Sequence, residues 1–394
     1  VSDAHAVVAG AGIGGLTAAL CLARAGLRVT ILEKAATLEP VGAGLQLSPN
    51  ASAVLRDLGV LPRLDGLALR PAALHIRRAR DGATLARAGL ADAERRWGAP
   101  YLLAHRGDLQ AELLAAVADV PAIALVCGTA VTGFAAAGSG VRIVTEKGDL
   151  RGETEADCLI GADGLHSAVR GRLVDGPDPL RPANRTAWRA LIPAAAAPVD
   201  ARAPDTALWL GEAAHVVHYP LRGGSVVNVV VIVGDSRTSG DGPDFWSQPG
   251  DAAVLARRLS GFAPGVQNLV AAAPAWRCWP LADRDPLPRW QKGPVALLGD
   301  AAHPMLPFLA QGAAQAIEDA AALGLALATL PVPAALARYE AMRREKATRL
   351  QIASRRQGRV YHLGGPAAFA RDLAIRAAGP RLLARYDWVY RQRP

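Results

Sequence analysis

The stretch that most constrains this chain lies at its start. Residues 4–9 form a short apolar run, Gly10-x-Gly12-x-x-Gly15 follows, a helical pattern extends to about residue 25, and a second apolar run, 28–32, ends at Glu33. Strand, glycine turn, helix and a second strand closed by an acid make one βαβ unit in which each part has a physical task. The glycines permit a tight turn and close approach of a ligand, the helix N-terminus attracts a pyrophosphate, and the terminal carboxylate accepts hydrogen bonds from ribose hydroxyls. A dinucleotide site in an α/β fold is therefore predicted. The motif does not separate FAD from NAD.

A chain of 394 residues, 51% hydrophobic and 20% charged, is long enough for two interleaved domains around a substantial core. No apolar run reaches the length of a membrane span, and no basic, apolar and cleavage-site sequence marks a secretory signal, so a cytoplasmic protein is expected. The four cysteines, Cys21, Cys127, Cys158 and Cys278, stand far apart without a C-x-x-C pair. They read as core thiols, and no disulfide framework or metal site is expected. The formal charge of +9 comes from scattered Lys and Arg without interleaved aromatics, which points to an anionic cofactor and substrate, not to nucleic acid.

Along the chain the pattern is α/β, with no internal repeat. Gly138–Gly140 and Gly223–Gly224 read as hairpin turns, the second joining strands at 214–220 and 225–233. Pro and Ala accumulate over 176–205, and Gly, Ser and Pro over 235–250, bracketing a mid-chain antiparallel sheet. After Pro333 a long helix is predicted to about Tyr361, followed by a shorter helical tail.

Two later segments repeat the logic of a buried strand delivering an acid to a ligand edge: 157–170, with Asp163-Gly164, and 295–304, with Gly299-Asp300. Together with residues 10–33 they resemble the three signatures of the group A flavoprotein monooxygenases, the para-hydroxybenzoate hydroxylase family. Segments 42–50, 105–109 and 303–319 look closest to salicylate and 3-hydroxybenzoate hydroxylases. The resemblance spans nearly the whole chain. It implies a Rossmann-like FAD-binding domain (1–71, 100–176 and 280–330), an interleaved substrate domain with a mixed or antiparallel sheet (72–99 and 177–279) and a C-terminal helical segment (331–394).

For the cofactor, the resemblance implies that Gly10, Gly12, Gly14 and Gly15 hold the pyrophosphate, Glu33 the adenosine ribose with Lys34 beside it, and Arg106 the pyrophosphate region. Gly44, Gly299 and Pro307 are expected among the FAD-binding residues, Asp300 at the ribityl chain, and Asp163 near the nucleotide and the NAD(P)H approach. An arginine at a helix start is disfavoured by the dipole unless an anion is near, which supports the phosphate role of Arg106. Gly312, Ala313 and Ala314 open an apolar helix whose free N–H groups favour negative charge at the flavin N1 and C2 carbonyl edge.

The implied reaction uses NAD(P)H and O2: reduced FAD forms a C4a-hydroperoxide whose distal oxygen hydroxylates an electron-rich ring. The protein must exclude water, position the ring and ease loss of the phenol proton. In 214–220, period-two alternation sets His215 and Tyr219 on one face and His218 on the other. His218 is the preferred base and His215 the reserve. His303, before Pro304, is expected to fix its loop through a backbone hydrogen bond. Arg189, which could meet a substrate carboxylate, is as readily structural. A small aromatic acid is the expected substrate, and a monomer or a homodimer fits equally. The alternatives are an epoxidase or hydroxylase of a larger substrate, such as a polyketide or quinone precursor, and a non-catalytic flavin-bound redox sensor.

Overall fold

In the strands His5–Ala9 and Cys158–Gly161 every residue is buried, the pattern of central parallel strands covered on both faces. They lie mid-sheet in the order Gln291–Lys292, Val295–Leu297, Cys158–Gly161, His5–Ala9, Arg28–Glu33 and Ile123–Cys127, parallel except for the edge pair at 291–297. The computed structural model describes residues 4–38, 43–235 and 248–391. Gly42 of the 42–50 segment and most of the loop expected at 235–250 lie outside the described residues.

The helix Ile13–Arg24 lies between this sheet and the helix Gly312–Leu327. Small residues let the two helices approach: a Cβ on Gly14 would stand 3.1 Å from the Ala316 Cβ, and one on Gly324 only 2.8 Å from the Cys21 Cβ. A three-stranded antiparallel sheet, Ala130–Ala137, Gly140–Lys147 and Leu150–Ala156, turns at Gly138 and Gly148, both at φ +57°.

The second large sheet runs Gln248–Gly250, Trp276–Asp283, Arg181–Pro193, Val226–Gly234, Ala214–Leu221, Thr206–Leu210, Ala73–Arg78 and Thr84–Gly89, antiparallel apart from the 206–210 and 73–78 pair. The hairpin turn at Gly223–Gly224 has positive φ at both glycines, as its sequence requires. One face of this sheet buries Trp188, Val216, Val229 and Val231 against the helices Ala252–Arg258 and Pro264–Ala271. The other face, with Val217, Tyr219 and Leu221, packs with Leu103 and the C-terminal tail.

The helix Val332–Tyr361 is 30 residues long, about 45 Å, and bridges the two sheets. Near its start, Tyr339 donates its hydroxyl to the Leu297 carbonyl at 2.9 Å; near its end, Gly358 admits the Phe308 ring, which a Cβ there would meet at 2.5 Å. The chain then folds through Gly365–Ala378, Gly379–Tyr386 and Asp387–Tyr390, setting Tyr390 edge-on to Trp97 and Tyr101.

Candidate active site

The glycine turn divides its residues by what an added methyl would meet. Gly10 has φ +101°, and a Cβ there would lie 2.6 Å from the Ala162 carbonyl oxygen; a Cβ on Gly15 would lie 1.9 Å from the Gly10 oxygen. Gly14 is closed by Leu298 and Ala316, whereas a Cβ on Gly12, the residue capping the helix, would meet nothing within 4 Å. Three glycines thus serve the fold and the fourth keeps a space open before free helix N–H groups, which suits a pyrophosphate. Glu33 accepts from the Ala11 and Ala35 amides at 2.8 Å each, which holds its carboxylate beside the turn, and Gln110 donates to the Ala11 carbonyl. Gln110 belongs to the helix Arg106–Ala118, so that helix, with Arg106 exposed at its first position, is tied to the same turn. Lys34 is exposed next to Glu33.

Asp163 lies against the turn through its backbone, 3.2 Å from where a Gly10 Cβ would stand. Its carboxylate accepts from Ser167 Oγ and the Ala168 and Val169 amides, capping the helix Ala168–Leu173. Burial first, opposed by these hydrogen bonds, leaves its pKa raised. The side chain expected near the nucleotide is therefore committed to a helix end.

Gly299, at φ +62°, turns the chain so that Asp300 is exposed at the N-terminus of the helix Gly312–Leu327; a Cβ on Gly312 would stand 3.9 Å from Asp300 Oδ1. This turn is held from behind. Asp319 accepts from the Gly299 amide at 3.1 Å, from His303 Nε2 at 2.5 Å and from Arg343 Nε at 2.8 Å. Burial alone would raise the Asp319 pKa, but His303 and Arg343 outweigh it and hold it down to about 2. His303 does fix its loop, though through a carboxylate and not the expected backbone bond. Arg343, from the long helix, was not anticipated; it also meets Glu318 and Gln315. Gln311 joins the helix start to the 44–50 segment through Ser48 and Asn50, and Gly44 donates to Asn228 on the second sheet. Gly44 is required there, since a Cβ would strike Tyr219 at 2.6 Å. Ala313 and Ala314 continue the helix from Gly312, and Pro307 opens the short turn Pro307–Leu309 in front of it.

That turn is one wall of a cavity of about 100 Å³ lined by Gln46, Leu74, Leu90, Tyr101, Thr206, Leu208, His215, Val217, residues 307–310, Tyr361, Leu383, Tyr386 and Tyr390. No Lys, Arg, Asp or Glu is among them. The tyrosine walls stay protonated, because burial pushes Tyr101, Tyr361 and Tyr390 above the usual phenol range. His215 reaches this cavity, with Phe308 and Tyr361 against its ring.

His218 does not. It lies on the opposite face, beside Trp209, with Nδ1 unpartnered, and burial lowers its pKa to about 4. The preference for His218 is thus corrected: the strand has the expected alternation, but the inward face is that of His215, Val217 and Tyr219. Arg189 is half-buried over the Trp279 ring and lies outside the cavity lining. Sequence reasoning missed the tail, Leu383, Tyr386 and Tyr390, as a cavity wall; its only sequence signal is an aromatic cluster in 386–390.

A glycine turn with room for a pyrophosphate, an acid at a second helix start and an aromatic cavity under the adjoining sheet are the parts of a flavin-dependent oxidoreductase. Residues 3–354 match the FAD binding domain family, and the chain belongs to it. It is 37% identical over 387 residues to a 3-amino-4-hydroxybenzoate 2-monooxygenase of Streptomyces platensis, covering 97% of this chain and 94% of that one. It is 35% identical over 390 residues to a 3-hydroxybenzoate 6-hydroxylase of Klebsiella oxytoca, with 98% and 96% covered. A salicylate hydroxylase substrate complex superposes with a TM-score of 0.83 at 26% identity, over 99% of this chain and 95% of that one. The protein is an FAD-dependent aromatic-ring monooxygenase.

Proposed function

We propose that this enzyme hydroxylates a single phenolic ring of hydroxybenzoate size, an aromatic acid, with NAD(P)H as electron donor and O2 as oxidant. The observation that carries the reading is the small aromatic cavity with His215 in its wall. About 100 Å³ suits one substituted ring and disfavours the polyketide-sized alternative. The relatives named for hydroxybenzoates support the same class.

When bound, FAD supplies the activated oxygen that the side chains here do not provide. Its pyrophosphate would lie at Gly12, its adenosine ribose at Glu33, its ribityl chain at Asp300 and its ring near the Gly312 helix start. Arg106 would add positive charge to the phosphate side. The remaining work falls to the chain itself. The apolar and tyrosine walls keep water from the ring and fix its orientation. His215 meets the phenol oxygen and favours its anion, which makes the ring more nucleophilic. Burial, then His362 and Arg185, depress the His215 pKa well below its ordinary value, so its imidazole is neutral at pH 7. A cytoplasmic location would supply the reduced nicotinamide that the reaction consumes.

The test is purification with its absorbance spectrum, then a screen of aromatic acids for stimulated NADH and NADPH oxidation with mass analysis of the products. A product one oxygen heavier than a monocyclic acid is expected. A yellow protein that hydroxylates none of them, but binds flavin and changes partner with redox state, would replace this reading with the sensor.

A further inference from the structure

We infer that Arg185 and His362 fix the tautomer of His215, so that His215 presents Nε2–H to the cavity and holds the substrate's ring oxygen as an anion by donating to it. The substrate half of this inference rests on the phenol-hydroxylase reading above; the tautomer half stands on geometry alone.

Arg185 Nε lies 3.1 Å from His362 Nδ1, and His362 Nε2 lies 2.7 Å from His215 Nδ1. A guanidinium only donates, so His362 Nδ1 must accept and carries no proton. Neutral His362 then has its proton on Nε2 and donates it to His215 Nδ1. Neutral His215 is left with its own proton on Nε2, the one ring nitrogen still available to a ligand in the cavity. Both rings are neutral: burial is the largest cause, and Arg185 adds to it, holding His362 at about 4 and His215 well below its ordinary range. Arg185 is itself held over the Phe308 ring and reaches the Ala183 and Gly358 carbonyls. In this tautomer His215 cannot take a proton at Nε2. The phenol therefore loses its proton to solvent water outside the cavity, its O–H bond breaking with the electron pair left on oxygen, and the phenolate that enters accepts from Nε2–H. Arg185 and His362 touch no reacting atom; they are positioning residues.

Two measurements test this. In the FAD-loaded protein with 15N-labelled histidine, long-range 1H–15N correlation spectra read each ring's tautomer, with assignments from H215Q and H362Q. Protonated Nε2 and bare Nδ1 at His215 are expected; a proton on His215 Nδ1, or a doubly protonated ring at neutral pH, overturns the inference. No substrate is needed, so this result is independent of the proposed activity. The second follows ionisation of a ring-fluorinated 3-hydroxybenzoate by 19F NMR in wild type, H362Q and H362F, each matched for FAD content by its visible absorbance. A glutamine amide can accept from Arg185 and donate to His215, whereas phenylalanine does neither. Wild type and H362Q are expected to bind the anion, and H362F to weaken ionisation about tenfold, one unit in apparent pKa. Equal ionisation in all three overturns the role of His362. Failure of the fluorophenol to bind wild type overturns the oxyanion half together with the proposed substrate, while the tautomer spectra continue to decide the other half.

Discussion

Substituting alanine at Gly12 and at Gly15 separates cofactor binding from folding within one turn. A methyl at position 12 meets no atom within 4 Å, and the backbone there, at φ −72°, is one that alanine adopts freely. Losing glycine's chain entropy and weakening a cap nearly cancel, so G12A apoprotein should keep its stability within about 1 kcal/mol. The same methyl projects into the room left for the pyrophosphate. Moving that group off the helix amides weakens charge-assisted hydrogen bonds worth roughly 1.5–3 kcal/mol each, which raises the FAD Kd about 10- to 100-fold. At position 15 the methyl would stand 1.9 Å from the Gly10 oxygen, and the backbone must shift by on the order of 1 Å before the turn can close. G15A should fail to fold or unfold many degrees earlier. Thermal unfolding of the apoproteins and FAD titration by fluorescence quenching measure both effects. Wild-type FAD affinity in G12A, or an unfolded G12A apoprotein, would refute the division of labour argued for these glycines.

Among the other expected outcomes, H215F should lower hydroxylation at least about 100-fold while NAD(P)H oxidation continues without product, as read by coupling ratio. H218L, on the face turned away from the cavity, should stay within about threefold of wild-type activity, although it loses the ring's hydrogen bond to the Ala201 backbone. R343M takes one charged partner from each of the buried Asp319 and Glu318 carboxylates, leaving His303 on the first and Lys346 on the second, and should cost about 3 kcal/mol by urea denaturation, with weaker FAD binding because the Gly299 turn loses part of its support. Because the folded Asp319 pKa is depressed from 3.8 to about 2, its stabilisation is essentially complete above about pH 5 and is lost as pH falls through 3.8 to about 2. The urea midpoint should therefore carry an acid-side loss of about 2 kcal/mol that D319N flattens.

The glycine cradle was legible because it depends on local spacing: which residue must turn, which must lie close, and which acid ends the next strand. The histidine pair shows where such reading stops. Alternation correctly separated His215 from His218, but naming the inward face needs a polar side to contrast with an apolar one. The strand Ala214–Leu221 is buried on both faces, by helices on one and by the cavity on the other, so its sequence carries no such contrast. The support behind Asp300 was hidden for another reason. Asp319 and Arg343 lie on different helices 24 positions apart, and nothing in either helix alone requires them to meet. His362 was likewise invisible, since its meaning depends on a contact across 147 positions.

The arrangement of the tail reaches beyond this one enzyme. Leu383, Tyr386 and Tyr390 line the cavity, yet they lie apart in the chain from every residue proposed to hold FAD and from Arg343, which supports the Gly299 turn. Replacing the tail alone could retune which ring is admitted while leaving the handling of oxygen and electrons intact. A library confined to 380–391 would be the economical place to seek new substrates.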